Sequence, residues 1–113
     1  MKKSPLNDQI RLHHMLEFAQ KVQHHTSKMT RDTLDADELA LMGIIRLIEM
    51  IGEAASKISP EIQKQHSQID WAGIIGMRNR VIHGYFDIDL DIIWDTIQHN
   101  IPPLINQLTN ILS

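Results

Sequence analysis

The chain has no cysteine among its 113 residues. This absence excludes a disulfide framework, a thiolate metal site and a cysteine nucleophile, and it suits a reducing compartment. The longest apolar stretches are interrupted by Arg46, Glu49 and Glu53, so no membrane-spanning helix is expected. The N-terminal residues, Met1 to Pro5, lead into polar positions and not into the apolar run of a signal peptide. We therefore expect a cytoplasmic protein.

Aromatic side chains are scarce, at 4%, whereas 42% of the residues are hydrophobic, mostly isoleucine and leucine. This balance is typical of a globular chain built from packed helices. The net charge is −3, while a protein that coats nucleic acid is usually basic. Any contact with nucleic acid must therefore come from a local patch. The length allows one domain, over 1–113.

The apolar residues follow a helical period along the whole chain, without strand-like alternation. One such stripe contains Leu12, Met15 and Val22. The pattern predicts long helices over 7–26, 37–58, 71–83 and 90–112, a loop over 28–37 and a short helix from Pro60. The expected fold is thus all-α, an antiparallel helical bundle of four main helices plus one or two short ones.

Polar residues and prolines mark the expected ends of these helices. Gly84 suits the position after the C-terminus of helix 71–83. Pro102 and Pro103 must kink the last helix, because Pro102 cannot donate a hydrogen bond to the carbonyl four residues earlier. The candidate N-caps are Ser4 or Asn7 for the first helix, Ser59 before Pro60, Asp70, and either Asp87 or Asp89.

The side chains best suited to catalysis lie close together in one segment, Arg78-Asn79-Arg80-Val81-Ile82-His83-Gly84-Tyr85. Arginine binds phosphate oxygens through a permanently charged, planar fork. Histidine ordinarily titrates near neutrality, which suits proton transfer at cellular pH. With the phenol of Tyr85 close by, the segment offers Arg78 and His83 as candidate catalytic residues for phosphate chemistry.

The position of Arg78 is unusual, because it falls near the middle of the apolar arc of its helix. A guanidinium there must form an ion pair, bind an anion, or lie at the end of an alkyl chain that extends to solvent. Glu49 or Glu53 of the preceding long helix is a candidate partner, although both also fit a solvated face joined by i,i+4 pairs. Asn79 lies on the edge of the arc and Arg80 points away from it, so we expect supporting roles for them.

The seven histidines do not have the spacing of metal ligands. Two pairs are adjacent, at 13–14 and 24–25, and adjacent side chains diverge by about 100° on a helix. No His-x-x-x-His or Glu-x-x-His pattern occurs. We therefore expect neither a metal site nor a cofactor.

Several stretches together resemble HepT-like toxins of the HEPN superfamily, over roughly residues 8 to 112. The resemblance combines the motif of residues 78–85 with its preceding Gly-Met pair, an Ile-Gly-Glu-Ala run and a late proline pair. The stretches that carry it are 48–55, 69–71 with Ile74, 76–85, 89–94 and 101–104.

The resemblance implies an all-helical domain that dimerises and acts as a metal-independent endoribonuclease. It also implies a toxin whose partner is a minimal nucleotidyltransferase antitoxin. Carried over by position, Arg78 and His83 match the catalytic pair and Asn79 matches the polar residue that often follows the arginine. Tyr85 matches the tyrosine that the antitoxin can modify with AMP. Cleavage without a metal is most easily done by attack of the RNA 2′-hydroxyl.

Two other interpretations of the same residues stay open. The chain could be a catalytically silent helical module that uses Arg78 and His83 to hold a nucleotide or RNA phosphate. It could also be a structural dimerisation domain whose polar residues serve packing. The place of Arg78 within an apolar arc argues mildly against both, because a buried unpaired charge is costly to retain.

Overall fold

The computed structural model describes residues 5–81 and 88–113, and within these ranges the chain is almost wholly helical. The helices are α1 (Pro5–Thr26), α2 (Arg31–Ala36), α3 (Glu38–Ser56), α4 (Pro60–Gln65), α5 (Trp71–Val81), α6 (Leu90–Asp95) and α7 (Ile101–Leu112), with a π-helical segment (Thr96–Asn100) between the last two. None of them is long and apolar enough to cross a membrane. The prediction of an all-α bundle is confirmed.

Three of the predicted N-caps are confirmed, whereas Asn7 is not an N-cap, because α1 already begins at Pro5. The side chain of Ser59 accepts a hydrogen bond from the amide of Ile62, and Pro60 occupies the first turn of α4. Asp70 accepts from the amide of Gly73 at 3.1 Å, and Asp89 caps α6 in the same way. These caps occupy amide groups that a helix leaves without internal partners. The predicted C-terminal role of Gly84 lies outside the described residues.

The predicted loop over 28–37 was wrong in part, because residues 31 to 36 form α2. Thr30 and Thr33 make a reciprocal capping box, in which each side chain accepts from the other residue's amide, at 3.2 and 2.8 Å. Leu34 is completely buried and fixes this short helix to the core. A single apolar residue among polar neighbours is too weak a signal to reveal such a helix by periodicity.

The last predicted helix, 90–112, is interrupted by the π-helical segment, just before the proline pair. The amide of Ile101 donates to the carbonyl of Thr96, five residues earlier. Pro102 and Pro103 have no N–H, so the carbonyl of Gln98 has neither an α-type nor a π-type donor in the helix. The disturbance expected at the prolines therefore appears as a wider turn on their N-terminal side.

The core lies between α1, α3, α5 and α7. Helix α1 packs on both α3 and α7, and α3 packs on α5. Met15, Ile45 and Leu108 are among the largest completely buried side chains. A buried carboxylate, that of Asp8, accepts hydrogen bonds from the amide and the hydroxyl of Ser59 at 2.9 and 2.7 Å. These bonds join the first turns of α1 to the start of α4.

Candidate active site

Helix α5 carries the start of the predicted motif, and its N-terminus is held in two ways. Asp70 caps the helix, and an added Cβ at Gly73 would overlap the Asp70 carboxylate. Trp71 is 7% exposed and its indole N–H donates to the carbonyl of His66 at 3.0 Å. A buried indole with its one donor satisfied is a firm anchor.

The middle of α5 lies unusually close to α3, at Gly52. An ideal Cβ built at position 52 would lie only 2.9 Å from the carbonyl oxygen of Ile74. Gly52 is buried, and its lack of a side chain is what allows the two helix backbones to approach. The sequence predicts that Gly52, like Gly43, Ala54 and Ala55, lets another helix or another protomer approach closely, and the structure shows that α5 is this neighbour at Gly52.

The last turns of α5 are fixed against the π-helical segment. Met77 is 6% exposed, and its sulfur lies 3.4 Å from the hydroxyl oxygen of Thr96. That hydroxyl also donates to the carbonyl of Ile92 at 2.7 Å. The residue that precedes Arg78 is thus buried against the helix that follows in the chain.

Arg78, Asn79 and Arg80 lie in the last turn of α5, which runs without a break to Val81. Position 78 follows Trp71 by seven residues, which places the two about 20° apart around the helix axis. The backbone therefore keeps Arg78 on the stripe that starts at the buried tryptophan, as the sequence predicted. His83 and Tyr85 lie outside the described residues, so their convergence with Arg78 stays a prediction.

Glu53, the predicted supporting carboxylate, is exposed on α3, next to Gly52. The carboxylate of Glu49, one turn earlier on α3, lies 3.7 Å from the guanidinium of Arg46. Among the side chains that the structure describes, which leave out those of residues 78–81, Glu53 has no ion pair. The predicted partnership of Glu49 or Glu53 with Arg78 remains a prediction.

A cleft that the sequence did not predict lies beside α5, with a volume of about 290 Å³. Met77 and Ile74 line one wall, while His99 and Asn100 of the π-helical segment line another. The nearest sequence signal was the proline pair, which predicted a disturbance here but not a cavity. Among residues 5–81 and 88–113, no group of three or more histidines and carboxylates could hold a metal ion.

Comparison with known proteins gives a consistent family. Residues 15–111 match the family model described as Ribonuclease HepT-like. "Putative RNase TTE0752" of Caldanaerobacter subterraneus subsp. tengcongensis is 33% identical over 101 residues, 89% of this chain and 90% of that protein. "Putative RNase MJ0127" of Methanocaldococcus jannaschii is 31% identical, over 89% of this chain and 84% of that protein.

A third relative, "Probable ribonuclease HepT" of Thermococcus cleftensis, is 29% identical over 93 residues, 82% of this chain and 84% of that protein. No solved structure matches the chain. The family model covers most of the described helices, from within α1 to the last turn of α7, and it includes the whole segment from Arg78 to Tyr85. The chain belongs to the HepT-like ribonuclease family.

Proposed function

We propose that this protein is an endoribonuclease toxin that cuts RNA without a metal ion and is silenced by a nucleotidyltransferase antitoxin. The observation that carries the proposal is the place of Arg78, in the last turn of a helix anchored along its length, within a chain of the HepT-like ribonuclease family. A rigid support of this kind suits a group that must meet a phosphate in a fixed position.

The proposed reaction is an internal transfer at phosphorus. The 2′-oxygen of the RNA bonds to the adjacent phosphorus as its proton passes to a base, and the bond from phosphorus to the 5′-oxygen breaks as that oxygen receives a proton. The products are a 2′,3′-cyclic phosphate and a 5′-hydroxyl. His83 transfers the protons, and Arg78 stabilises the added negative charge on the phosphoryl oxygens.

Two protons move in this reaction, and one protomer offers a single histidine in the motif. A homodimer related by a twofold axis would bring two copies of helix α5 together, with two arginines and two histidines in one groove. Asn79 and Arg80 on the same turn would add donors toward the RNA backbone, and Glu53 would orient Arg78. The proposed active unit is therefore a dimer.

The proposal predicts which RNA is cut and which is not. A single-stranded RNA oligonucleotide should be cut in the presence of a chelator, while the same oligonucleotide with a 2′-deoxy sugar at the cleaved position should stay intact. Mass spectrometry of the products should find the cyclic phosphate. Cleavage that stops when the chelator is added, or products with a 5′-phosphate, would contradict the mechanism.

A purified protein that binds RNA in a salt-dependent way and never cuts it would instead favour the catalytically silent module. If Arg78 or His83 variants change only stability or self-association, and leave growth of cells that express the protein unaltered, the structural dimerisation domain is favoured. Each of the three interpretations therefore has its own outcome.

The silencing step is a proposed AMP transfer to Tyr85. The phenol oxygen would bond to the α-phosphorus of ATP as pyrophosphate leaves and the phenol proton passes to solvent, so that the added AMP lies beside the groove. The added negative charge and bulk would repel and exclude the substrate phosphate.

Co-expression with a neighbouring nucleotidyltransferase should therefore add one AMP to the wild-type chain and remove RNA cleavage. Tyr85→Phe keeps the ring and lacks the acceptor oxygen, so it should carry no AMP and remain active. Intact-mass and peptide mass spectrometry check both. An AMP group found on another residue, or a silenced chain without an adduct, would rule out this role for Tyr85.

A further inference from the structure

The cleft beside α5 has an apolar interior. Side chains from three helices form it: Ile48 and Ile51 of α3, Ile74 and Met77 of α5, and Ile101 and Leu104 of α7. Its volume of about 290 Å³ is just below the usual range of small-molecule sites, so the cleft suits a ligand no larger than one ring system. A flat, uncharged ring is the kind of group that such walls can enclose on both faces.

Polar groups surround this interior, and their chemistry is specific. Gln68, Asp70, His99, Asn100 and Gln107 line the cleft, so amides, an imidazole and a carboxylate are all present. Among the described residues, no lysine or arginine lines it. The cleft therefore suits a neutral ligand that offers hydrogen-bond donors to a carboxylate, and it does not suit a phosphate.

Two of these amides differ in their present contacts. The side-chain N–H of Gln107 donates to the backbone carbonyl of Gln68 at 3.1 Å, which orients the Gln107 amide. Asn100 is exposed, and its side chain has no hydrogen-bond partner among residues 5–81 and 88–113. Asparagine and glutamine amides pair with the edge of adenine, and a carboxylate accepts from the amino group of cytosine.

The cleft also lies next to the proposed catalytic segment. Met77 lines it, and Arg78 is the next residue along α5. A base held in the cleft would therefore bring its attached ribose and phosphate to the end of the helix where the motif begins. Proteins that recognise single strands commonly bind the base in an apolar site and the phosphate in a separate cationic site.

We propose that this cleft binds one unpaired base of the RNA substrate that carries an amino group beside a ring-nitrogen acceptor, adenine or cytosine, between its apolar walls and the amides of Asn100 and Gln107. The inference rests on the proposed function for the identity of the ligand, since it makes the base part of the RNA that is cut. It extends that function by giving the enzyme a sequence preference next to the cleaved bond.

Binding of free nucleosides tests the cleft without requiring cleavage. Adenosine or cytidine added to the wild-type protein should shift the NMR signals of residues that line the cleft, whereas uridine, which lacks the amino group, and ribose 5-phosphate should not. Asn100→Ala should weaken adenosine binding by about tenfold, since it removes one specific hydrogen-bond pair. Asn100→Trp, which fills the mouth of the cleft, should abolish it.

Gln98→Ala is the matched control, because Gln98 is an exposed amide on the same π-helical segment that lines a different groove, with Trp94 and Pro102. It should bind adenosine as the wild type does. Equal binding by wild type, Asn100→Ala and Asn100→Trp would overturn the inference, as would uridine binding as strong as that of adenosine.

Failure of this inference and failure of the proposed function give different results. His83→Ala should lose cleavage and keep adenosine binding. If the wild type binds adenosine through Asn100 but cuts no RNA, the proposed function fails and the base site stands. If the wild type cuts RNA without a preference for adenosine or cytidine, and neither nucleoside binds, the base site fails and the ribonuclease stands.

Discussion

Replacing His83 or Arg78 with alanine is expected to lower the rate of RNA cleavage by about 10²–10⁴-fold each. The histidine variant loses the group that transfers protons. The arginine variant loses the cation that neutralises the charge that develops on the phosphoryl oxygens. Arg78→Lys should recover only part of the rate, because an ammonium keeps the charge but loses the two-pronged contact. Single-turnover cleavage of a labelled RNA measures all three.

Matched control variants separate a loss of catalysis from a loss of folding. His13→Ala removes an exposed histidine of α1, and Arg46→Ala removes an exposed arginine of α3. Both controls should cut RNA at the wild-type rate. Circular dichroism and thermal unfolding should show that all the variants are folded. Undiminished cleavage by folded Arg78→Ala or His83→Ala would remove that residue from the mechanism.

Gly52→Val is expected to destabilise the protein by about 3 kcal/mol, the upper part of the usual range for overpacking a core. Its Cβ would stand 2.9 Å from the backbone oxygen of Ile74, and a backbone atom cannot turn aside as a flexible side chain can. Helix α5 would have to move away from α3. Because Arg78 is one turn beyond Ile74, RNA cleavage should fall together with stability.

Gly43→Val is the control, because Gly43 is an exposed glycine of the same helix. A Cβ built there meets no atom of the described residues within 4 Å. The free energy of unfolding should then change by less than about 0.5 kcal/mol, the difference in helix propensity. Chemical denaturation followed by circular dichroism compares the two variants. Equal stabilities would show that the close approach of α3 and α5 has little energetic weight.

The sequence predicted those parts of the fold that depend on local rules. Ser59, Asp70 and Asp89 were found as caps because short polar side chains before an apolar run have one favourable use. Position 78 was placed correctly on its helix because register follows from the helical repeat alone. A close approach at Gly52 was predicted as well, but the helix that lies opposite could not be, since the choice of neighbour is a property of packing.

Two departures from the predicted helices, the extra helix α2 and the π-helical form of the disturbance before Pro102, have a shared cause, because in each a requirement of packing overrode the local pattern. Helix α2 forms because Leu34 finds a buried site, which its polar neighbours do not reveal. The wide turn before Pro102 keeps the apolar residues of α7, Ile101 and Leu108 among them, directed into the core. The base site proposed beside α5 is formed by that same turn and by residues that are distant in sequence. No single sequence motif therefore predicts it.

The π-helical segment has a further consequence for how this chain tolerates changes in length. A five-residue hydrogen-bond step contains one residue more than a regular helical step, so it behaves as an insertion that the helix has absorbed. Deleting one residue between 96 and 100 would restore the regular step and leave the helix beyond it facing as it does now, whereas a deletion from a regular turn would rotate that helix by about 100°. Ile101, Leu104 and Leu108 would then stay buried. This segment should therefore tolerate the loss of one residue, which a regular turn of the same helix would not.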